Sequence, residues 1–506
     1  MTEQILKSFT FFILAIVVST PTTAQIFKQV NIKIEQDSID KLERQPYSNE
    51  DVHGDFFIDN QGFENVELHY RGAFNLFNLI RAGSLRNWKV KFPKNNKLED
   101  RREWNFNYEN YIRQNLAYQV FKAAKVPVVS AENVLFSLNG NLQGLYLKYE
   151  DPDNTDWLKE TFGDNDGDLY KAAYDLPGEV KYFADLTYLG DEDADYFLHY
   201  RKQTNKKGLA EFDYSSIRDF TALINQTPDD EFEQTILDNF EVASFIRYLV
   251  IANFMSHWDS YPYRPKNFFL YDNPTDDKWH FIPWDLDATF QESGNRNPIG
   301  TTGSIYHYFD GIVPYQNEST ESLERPLVWR IMKIQKFRDK YCYEYKQAID
   351  TYLNSESLFG LIDSIETTVN NNVTGQDREE FRADVAATKR FINKRLPNVK
   401  TQLDPCNVTN DPFNSTTSTL DEGIIQAIIY PNPASNYIRI ELSSTITENG
   451  QVILSDVLGK TVSSLILEQG TFPSINLGID HIPTGQYFLT IKANGDQKTT
   501  KILITK

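Results

Sequence analysis

Cysteine is nearly absent from this chain of 506 residues, which contains only Cys342 and Cys406. Two cysteines cannot build a disulfide-rich scaffold, and no CxxC pair is present to hold a metal cluster. Two arrangements stay open at this point. The pair can form a single bridge if the protein is exported, or both residues can remain buried free thiols.

Positive charge is also scarce, because 51 lysine and arginine residues are opposed by 71 aspartate and glutamate residues, and the formal net charge is −20. Such an acidic chain is a poor partner for a phosphate backbone, so nucleic acid binding is not expected. Beyond the N-terminal region the chain lacks apolar runs long enough to span a bilayer, so no transmembrane segment is expected in the mature protein. The phosphate-binding signatures GxxxxGKS/T and a complete GxGxxG are absent as well.

The N-terminus has the pattern of a secretory signal peptide. Lys7 precedes the apolar run FFILAIVV at residues 11–18, and Thr22 and Ala24 occupy the small-residue positions of a cleavage site. The apolar run is shorter than the about 20 residues that a spanning helix needs. We therefore predict a signal peptide over residues 1–24 and an exported mature protein.

Hydrophobic residues make up 40% of the chain, which is enough for folded domains, and the length predicts more than one core. Apolar and polar residues alternate around 30–34, 66–70, 88–92 and 134–147, which predicts strands, while helical spacing near 112–121 predicts one helix. Later segments, over 240–250 and 323–396, have helical spacing with breaks near Asn354 and Gly375. This order predicts an α+β fold in which a strand-rich part precedes a helical part.

The composition changes again near Asn407. The stretch NVTNDPFNSTTSTLDEG is polar and rich in serine and threonine, which predicts a linker over residues 409–423. Short alternating segments such as YIRIEL and QYFLTIKA follow, separated by glycine, proline and asparagine. They predict a small C-terminal β-sandwich over residues 424–506.

The most informative stretch is HWDSYPYRPKNFFLYDNPTDDKWHFIPWDLDATF, residues 257–290. Its two strand-like runs flank a polar turn and predict a β-hairpin. Because a hairpin folds back on itself, Asp285 and Asp287 at its end can return close to Asp259 and Asn267 at its start. On an extended strand the two later aspartates would share one face. These oxygen-bearing side chains suit a hard cation such as Mg²⁺, and the alternative is a turn stabilised by Asx hydrogen bonds.

The segment between residues 60 and 290 resembles the CotH kinase family. The matching motifs occur in the family's order: Arg71-Gly72, NWKVKF, YIRQNLAYQVF, NGNLQGLYLKYE, GDLYK, the loop with Asp259 and Asn267, and IPWDLDATF. The resemblance implies an atypical protein-kinase-like domain of two lobes over residues 25–408. The family often has a serine-rich stretch after Arg-Gly, where this chain reads AFNLFNLIRAGS with Ser84 at its end.

By this resemblance, the catalytic base corresponds to Asp259, and the metal-binding positions correspond to Asn267, Asp285 and Asp287. Protein kinases use the same order of a base Asp, a metal-binding Asn, a hairpin and a metal-binding Asp. The implied cofactors are ATP and Mg²⁺, or Mn²⁺ in its place.

The resemblance also implies residues that hold the nucleotide phosphates. Lys91, or Lys89 on the same face of its strand, corresponds to the lysine of a Lys–Glu pair whose acidic member is Glu150. Arg71, directly after a predicted strand, joins them as a cofactor-binding candidate.

The C-terminal segment resembles the type A sorting domain of the type IX (Por) secretion system of Bacteroidetes. The matches are YPNPASN at 430–436, LSDVLGK at 454–460, PTGQYFLTI at 483–491 and the terminal KILITK. The resemblance implies the type IX secretion machinery as a partner and a secreted or cell-surface location.

Two functions from different classes follow. The first is an exported kinase-like protein that transfers phosphate from ATP to serine or threonine of an exported protein. The second is a kinase-fold scaffold or adhesin of the cell surface that has no catalytic activity. An intact set of Asp, Asn and Asp favours the first, whereas the scarcity of nucleotide outside the cell favours the second.

Both terminal signals predict processing. The mature protein should begin at Gln25 and lose residues 424–506 at the cell surface. Intact-mass measurement on protein from the native host tests this expectation, and a surface form that still ends at Lys506 would contradict the sorting interpretation.

Overall fold

The computed structural model describes residues 27–48, 50–72, 85–109, 111–172, 183–292, 297, 299–310, 324–413, 427–430, 434–442, 449–456, 459–469, 474–493 and 496–505. The predicted signal peptide and Ser84 lie outside these residues. The chain divides into two compact units, Met1–Asn414 and Ser415–Lys506. The domain boundaries proposed from the sequence stay predictions.

A closed barrel of seven strands forms the first part of the larger unit. Its strands are β1 (Gln29–Lys33), β2 (Val52–Ile58), β3 (Gln61–Tyr70), β4 (Trp88–Lys91), β5 (Glu103–Tyr108), β6 (Ala131–Leu138) and β7 (Asn141–Tyr149). Neighbours follow the order β1-β2-β3-β4-β5-β7-β6, and the parallel pairing of β1 with β6 closes the barrel.

Strand alternation sorts the side chains of the barrel wall. Leu68 of β3 and Trp88 and Val90 of β4 are buried in the barrel core, because every second residue of a strand points to the same face. Lys89 and Lys91 therefore share the outer face of β4, as the alternation predicted.

Three helices accompany the barrel: α1 (Gln36–Arg44), α2 (Arg113–Ala123) and α3 (Thr155–Phe162). Helix α2, which the sequence predicted, is buried along most of its length and packs against β6. Helix α3 begins where the Asn154 side chain accepts a hydrogen bond from the Asp156 amide at 2.9 Å, and it ends at Gly163 with φ of 81°.

A second sheet lies within the same unit. Its strands are β8 (Leu169–Ala172), β9 (Tyr200–Lys202), β10 (Phe268–Asn273) and β11 (Lys278–Pro283), in the order β11-β10-β8-β9. The predicted hairpin is confirmed as β10 and β11, with Phe268 opposite Pro283 and Asn273 opposite Lys278.

Seven further α-helices lie in the described part of the larger unit. They are α4 (Ser215–Gln226), α5 (Phe232–Asn239), α6 (Val242–Phe254), α7 (Pro326–Lys333), α8 (Gln335–Thr351), α9 (Ser355–Asn372) and α10 (Gly375–Leu403). Both predicted helix breaks are confirmed. The Asn354 side chain caps α9 by accepting from the Ser357 amide at 2.9 Å, and α10 begins at Gly375, whose φ of 68° suits glycine.

The predicted α+β class is therefore confirmed, with a strand-rich part before a helical part. The barrel and the second sheet with its helices share one unit. The more specific expectation of a two-lobed kinase-like fold stays a prediction.

The smaller unit is rich in strands, as predicted. It contains β12 (Ala427–Tyr430), β13 (Tyr437–Leu442), β14 (Gly450–Asp456), β15 (Thr461–Leu467), β16 (Ser474–Gly478), β17 (Gly485–Ala493) and β18 (Asp496–Ile504). They form one sheet of order β12-β13-β16 and another of order β15-β14-β17-β18. Inward residues of both sheets, among them Ile438, Leu454 and Leu489, share a single core. In the part of the chain that the structure describes, no helix is long and apolar enough to cross a bilayer.

A disulfide joins Cys342 of α8 to Cys406, which follows α10. Nearby contacts hold the same end of the unit: Lys340 pairs with Asp411 at 2.7 Å. Of the two arrangements left open by the sequence, the structure contains the bridge.

The bridge should be detectable by thiol counting. Unreduced, denatured protein should contain no free thiols, and reduction should release two. Because the bridge closes a loop over a sequence separation of 64 residues, replacing both cysteines by serine should cost about 4 kcal/mol of unfolding free energy in the chain-entropy treatment. Two free thiols without reduction would contradict the bridge.

Candidate active site

The loop between α6 and β10 carries Asp259. A buried arginine from outside the loop fixes its backbone: Arg325 Nε donates to the Tyr261 carbonyl at 2.6 Å and Nη2 donates to the Tyr263 carbonyl at 2.8 Å. Arg325 is only 1% exposed, so these bonds form away from competing water. The loop is thus held by contacts that do not use the Asp259 side chain.

Asp259 and Asn267 are in direct contact. Asn267 Nδ2 donates to the Asp259 carboxylate at 3.0 Å and to the Asp259 carbonyl at 2.7 Å. Lys266 Nζ lies 3.0 Å from the other carboxylate oxygen. Because the side-chain nitrogen Nδ2 of Asn267 faces Asp259, the side-chain oxygen Oδ1 points elsewhere and can serve as a metal ligand.

The end of β11 returns to the start of β10 at this point. The Trp284 amide donates to the Asn267 carbonyl at 3.0 Å, which continues the hairpin pairing beyond Pro283. Trp284 also packs on Tyr149 of the barrel, with ring centroids 5.5 Å apart. The hairpin end therefore meets the outer wall of the barrel.

The expectation that Asp285 and Asp287 share one face of an extended strand is wrong. Strand β11 ends at Pro283, and Asp285 adopts φ of 54°, the left-handed region that Asp and Asn tolerate better than most residues. The two side chains differ in exposure: Asp285 is partly buried, whereas Asp287 is exposed.

Negative charge accumulates around the hairpin end. Burial and the neighbouring charge of Asp259 raise the pKa of Asp285. Loss of hydration next to the protein, followed by the charges of Asp285 and Asp259, also raises the pKa of Asp287. Burial, followed by the charge of Asp287, raises the pKa of Glu109 well above its usual value.

Glu109 was missed by the sequence analysis. It directly follows β5 and is 6% exposed. In the sequence it is one acidic residue among 71, and only the fold brings it into the field of Asp287.

The expected pairing of Lys91 with Glu150 is wrong. Lys91 Nζ lies 3.0 Å from Glu67 of the neighbouring strand, and Glu150 lies 3.4 Å from Arg101. Strand register places Lys91 opposite Glu67 of β3, so the Lys91 ammonium group already has a carboxylate partner.

Lys89 lies beside the first residues after β7, Glu150 and Asp151, which we call the barrel exit. Its Nζ is 2.8 Å from Glu103 and 3.4 Å from Asp151, the residue after Glu150. Burial and then the charges of Lys89 and Lys171 act on Asp151, and the net effect holds its pKa below the usual range. Of the two lysines considered for this role, the structure therefore brings Lys89 to the first residues after β7.

Arg71 interacts electrostatically with both Asp151 at the barrel exit and Asp285 at the hairpin end. Its Nη1 donates to Asn107 at 2.8 Å and to the Tyr149 hydroxyl. Burial lowers its pKa, but the neighbouring Tyr149, Asp151 and Asp285 raise it, and the net shift is upward. Arg71 is thus within the field of both the barrel exit and the hairpin end.

The donor set fits a divalent cation. Asp285 and Asp259 repel each other in a partly buried place, and Asn267 adds a carbonyl oxygen, so a hard cation would relieve the excess negative charge. Within the described ranges, no three His, Cys, Asp or Glu side chains form a metal site by themselves. A metal would therefore need Asn267, water or a bound phosphate among its ligands.

A separate cavity of about 470 Å³ lies at the second sheet. Its lining includes Asp166, Asp168, Asp272 and Asp277. None of the predicted site residues lines it, so it does not bear on the chemistry predicted for the hairpin end.

The raised pKa of Asp285 has a consequence for stability. The folded protein binds a proton at Asp285 more tightly than the unfolded chain does, so this site's contribution to stability falls as pH rises past the unfolded pKa of about 3.9 and through the folded pKa. Asp285→Asn removes that cost and keeps a residue type that tolerates φ of 54°.

We expect Asp285→Asn to increase the unfolding free energy by on the order of 1 kcal/mol at pH 8 and by less at pH 4.5. Urea unfolding in chelator-containing buffer at both pH values measures this difference. A variant that is less stable than the wild type at pH 8 would show that Asp285 is structurally satisfied and not held against repulsion.

Comparisons with known proteins place the larger unit in a family. The family described as CotH kinase protein matches residues 68–398. Inner spore coat protein H of Bacillus subtilis is 24% identical over 245 residues, which cover 46% of this chain and 60% of that protein. Invasin CotH2 of Rhizopus delemar is 38% identical over 66 residues, which cover 12% of this chain and 11% of that protein. The chain thus spans less than two thirds of either relative.

The smaller unit has its own match. A secretion system C-terminal sorting domain corresponds to residues 428–505. Such a domain implies export by the type IX secretion machinery and a secreted or cell-surface location. Because the match to the CotH kinase protein family covers more than half of the chain, this protein belongs to that family.

Proposed function

We propose that this protein is an exported phosphotransferase. It would transfer the terminal phosphoryl group of ATP, with Mg²⁺ or Mn²⁺, to a serine or threonine hydroxyl of an exported or surface protein. The observation that supports this most strongly is the contact between Asp259 and Asn267 beside Asp285, with the cation Arg71 in the same field. Base, metal ligands and phosphate-binding cation are the parts that phosphoryl transfer requires.

Asp259 is the proposed base. Its carboxylate is oriented by Asn267 at 3.0 Å and by Lys266 at 3.0 Å. In the reaction it would accept the hydroxyl proton while the acceptor oxygen bonds to phosphorus and the bond to the ADP oxygen breaks. Asp259 would accept this proton alone, without sharing it with a second carboxylate.

Asn267, Asp285 and Asp287 are the proposed metal ligands. When bound, the metal would neutralise negative charge on the transferring phosphoryl group. The raised pKa of Asp285 and of Asp287 means that protons compete for both ligands, so metal binding should weaken as pH falls.

Phosphate binding is assigned to Arg71 and Lys89. Arg71 is positioned by Asn107 and Tyr149, and its fork of donors suits phosphate oxygens. Lys89 takes this role in place of Lys91 because its Nζ lies 3.4 Å from Asp151, whereas Lys91 pairs with Glu67 on β3. Glu150, which pairs with Arg101, supports the barrel exit and does not hold that lysine.

A second candidate is a scaffold or adhesin without catalysis. Two observations favour it: the Lys91–Glu150 pair is not formed, and one relative carries the name invasin. In this case the charged residues of the hairpin end and the barrel exit would be present without phosphoryl transfer.

Autophosphorylation with labelled ATP tests the proposal, with Asp259→Asn as the diagnostic variant. The substitution keeps an oxygen that can accept the Asn267 hydrogen bond but loses the basic carboxylate. Transfer should fall by roughly 10²–10⁴-fold, while affinity for ATP should change little because Asp259 faces the acceptor. Arg218→Gln, at a surface ion pair with Asp193 and Asp219, is a control that should transfer as the wild type does.

Transfer by Asp259→Asn at the wild-type rate would remove Asp259 from the mechanism. A wild-type protein that neither transfers phosphate nor binds any nucleotide would favour the scaffold.

A further inference from the structure

The cavity of about 470 Å³ lies at the turn end of the β10–β11 hairpin, away from the candidate active site. Asp166 and Asp168, which precede β8, line it together with Asp272 and Asp277 of the hairpin. Strand β10 has six residues, so the two ends of the hairpin are roughly 17 Å apart. The cavity is therefore separate from the residues proposed for phosphoryl transfer.

The walls of the cavity are held by contacts that do not use most of its carboxylates. The Asp272 amide donates to the Asp168 carbonyl at 2.9 Å, and Asn205 Nδ2 donates to the Asp166 carbonyl at 2.9 Å. A β-carbon on Gly167 would lie 2.0 Å from the Asp272 carbonyl oxygen, so only glycine allows the chain to approach β10 this closely. Backbone groups and one asparagine side chain thus fix the shape of the site.

Three carboxylates of the cavity have no protein partner. Among the described residues, the side chains of Asp166, Asp272 and Asp277 form no hydrogen bond and no ion pair. Asp168 differs, because Lys202 Nζ lies 2.7 Å from its carboxylate. Burial, followed by the charges of Asp168 and Asp277, raises the pKa of Asp272 to about 6. The cavity therefore has negative charge that the fold does not balance.

Trp279 of β11 adds a hydrogen-bond donor to the cavity wall. The residue is 7% exposed, and its ring stacks on Phe220 with the centroids 4.7 Å apart and 14° between the planes. Its indole N–H donates to none of the described residues, yet it is not sealed from solvent. Because a buried indole usually has a partner for its N–H, this donor is available to a ligand in the cavity.

This combination of groups restricts the chemistry of a ligand. The unpaired carboxylates favour positive charge, and within the described ranges no three acidic, histidine or cysteine side chains are arranged to hold a metal ion. An organic ammonium group fits better, because its three donors can reach separate carboxylates. The Trp279 N–H, in contrast, needs an acceptor oxygen on the same ligand. The volume of about 470 Å³ is in the range of small-molecule sites.

We propose that this cavity binds a small organic ligand with an ammonium group next to a hydroxyl, which is the chemistry of an amino sugar. Asp272 and Asp277 accept hydrogen bonds from the ammonium group, and Trp279 donates to the neighbouring oxygen. The site is independent of phosphoryl transfer, because none of the residues proposed for that reaction lines the cavity.

A solvated hairpin turn is the alternative. Acidic residues are common at exposed turns, where water satisfies their carboxylates without any ligand. The two roles differ in a measurable way, because a solvated turn does not distinguish a charged sugar from its neutral derivative by saturable binding.

Isothermal titration calorimetry on the full chain compares three probes: glucosamine, N-acetylglucosamine and putrescine. Glucosamine should bind saturably. N-acetylation removes the positive charge, so N-acetylglucosamine should bind at least about 10-fold more weakly. Putrescine keeps the ammonium groups but has no acceptor oxygen, so it should bind about 5-fold more weakly than glucosamine.

Substitutions separate the two kinds of contact. Asp272→Asn should weaken glucosamine binding by about 10-fold, because it removes the charge of one acceptor. Trp279→Phe keeps the stack on Phe220 and should weaken glucosamine by about 5-fold while leaving putrescine unchanged. Asp277→Asn is a second charge variant that decides the matter if Asp272→Asn does not fold, since asparagine tolerates the φ of 55° at this position.

The matched control is Asp363→Asn, which neutralises a surface carboxylate paired with Lys389 and should bind all three probes as the wild type does. Absence of saturable glucosamine binding by the wild type would overturn the proposal, as would equally tight binding of N-acetylglucosamine. Equal losses of glucosamine and putrescine in Trp279→Phe would assign the indole to packing and overturn the class of ligand. Wild-type affinity in both Asp272→Asn and Asp277→Asn would contradict this site.

Discussion

The hydrogen bond from the Trp284 amide to the Asn267 carbonyl is the constraint on which the candidate site depends. It closes the β10–β11 hairpin at the end that carries the chemistry, because it places the residue before Asp285 beside the residue that contacts Asp259. Asp285 can then leave the sheet in a left-handed turn and enter the field of Asp259. If this pairing slipped by one residue, every side chain of the strand would change face.

The distribution of charge differs between the hairpin end and the barrel exit. The hairpin end has an excess of carboxylates, which raises the pKa of Asp285, Asp287 and Glu109. The adjoining barrel exit combines cations with carboxylates, because Lys89, Lys171 and Arg71 all act on Asp151. A metal ion and a polyphosphate, placed side by side, are complementary to such a pair of regions. The fold tolerates the separation of charge because buried aromatic packing, such as Trp284 on Tyr149, holds the two regions together.

Local patterns predicted most of the elements. Alternation identified β3, β4 and the hairpin, and Asn354 and Gly375 marked the breaks between helices, because these signals depend on neighbouring residues alone. Closure of the barrel was not predictable in the same way, since it depends on the parallel pairing of β1 with β6 across a hundred residues of chain. The approach of Asp285 to Asp259 was predictable because a hairpin brings its two ends together.

The errors at the site come from the same limit. Alternation places Lys89 and Lys91 on one face but cannot tell which lysine is already occupied, and the register with β3 gives Lys91 to Glu67. At Asp285 the sequence left an extended strand and a turn open, because its pattern continues beyond Pro283, where β11 ends.

The central claim is that the hairpin end and the barrel exit together bind a metal–nucleotide pair. Isothermal titration calorimetry of the full chain with ATP, in Mg²⁺, in Mn²⁺ and in excess chelator, tests it most directly. The account predicts saturable binding with either metal and a large loss of affinity in chelator, because the carboxylates would then repel the phosphates. Equal affinity with and without metal, or no binding under any of the three conditions, would contradict it.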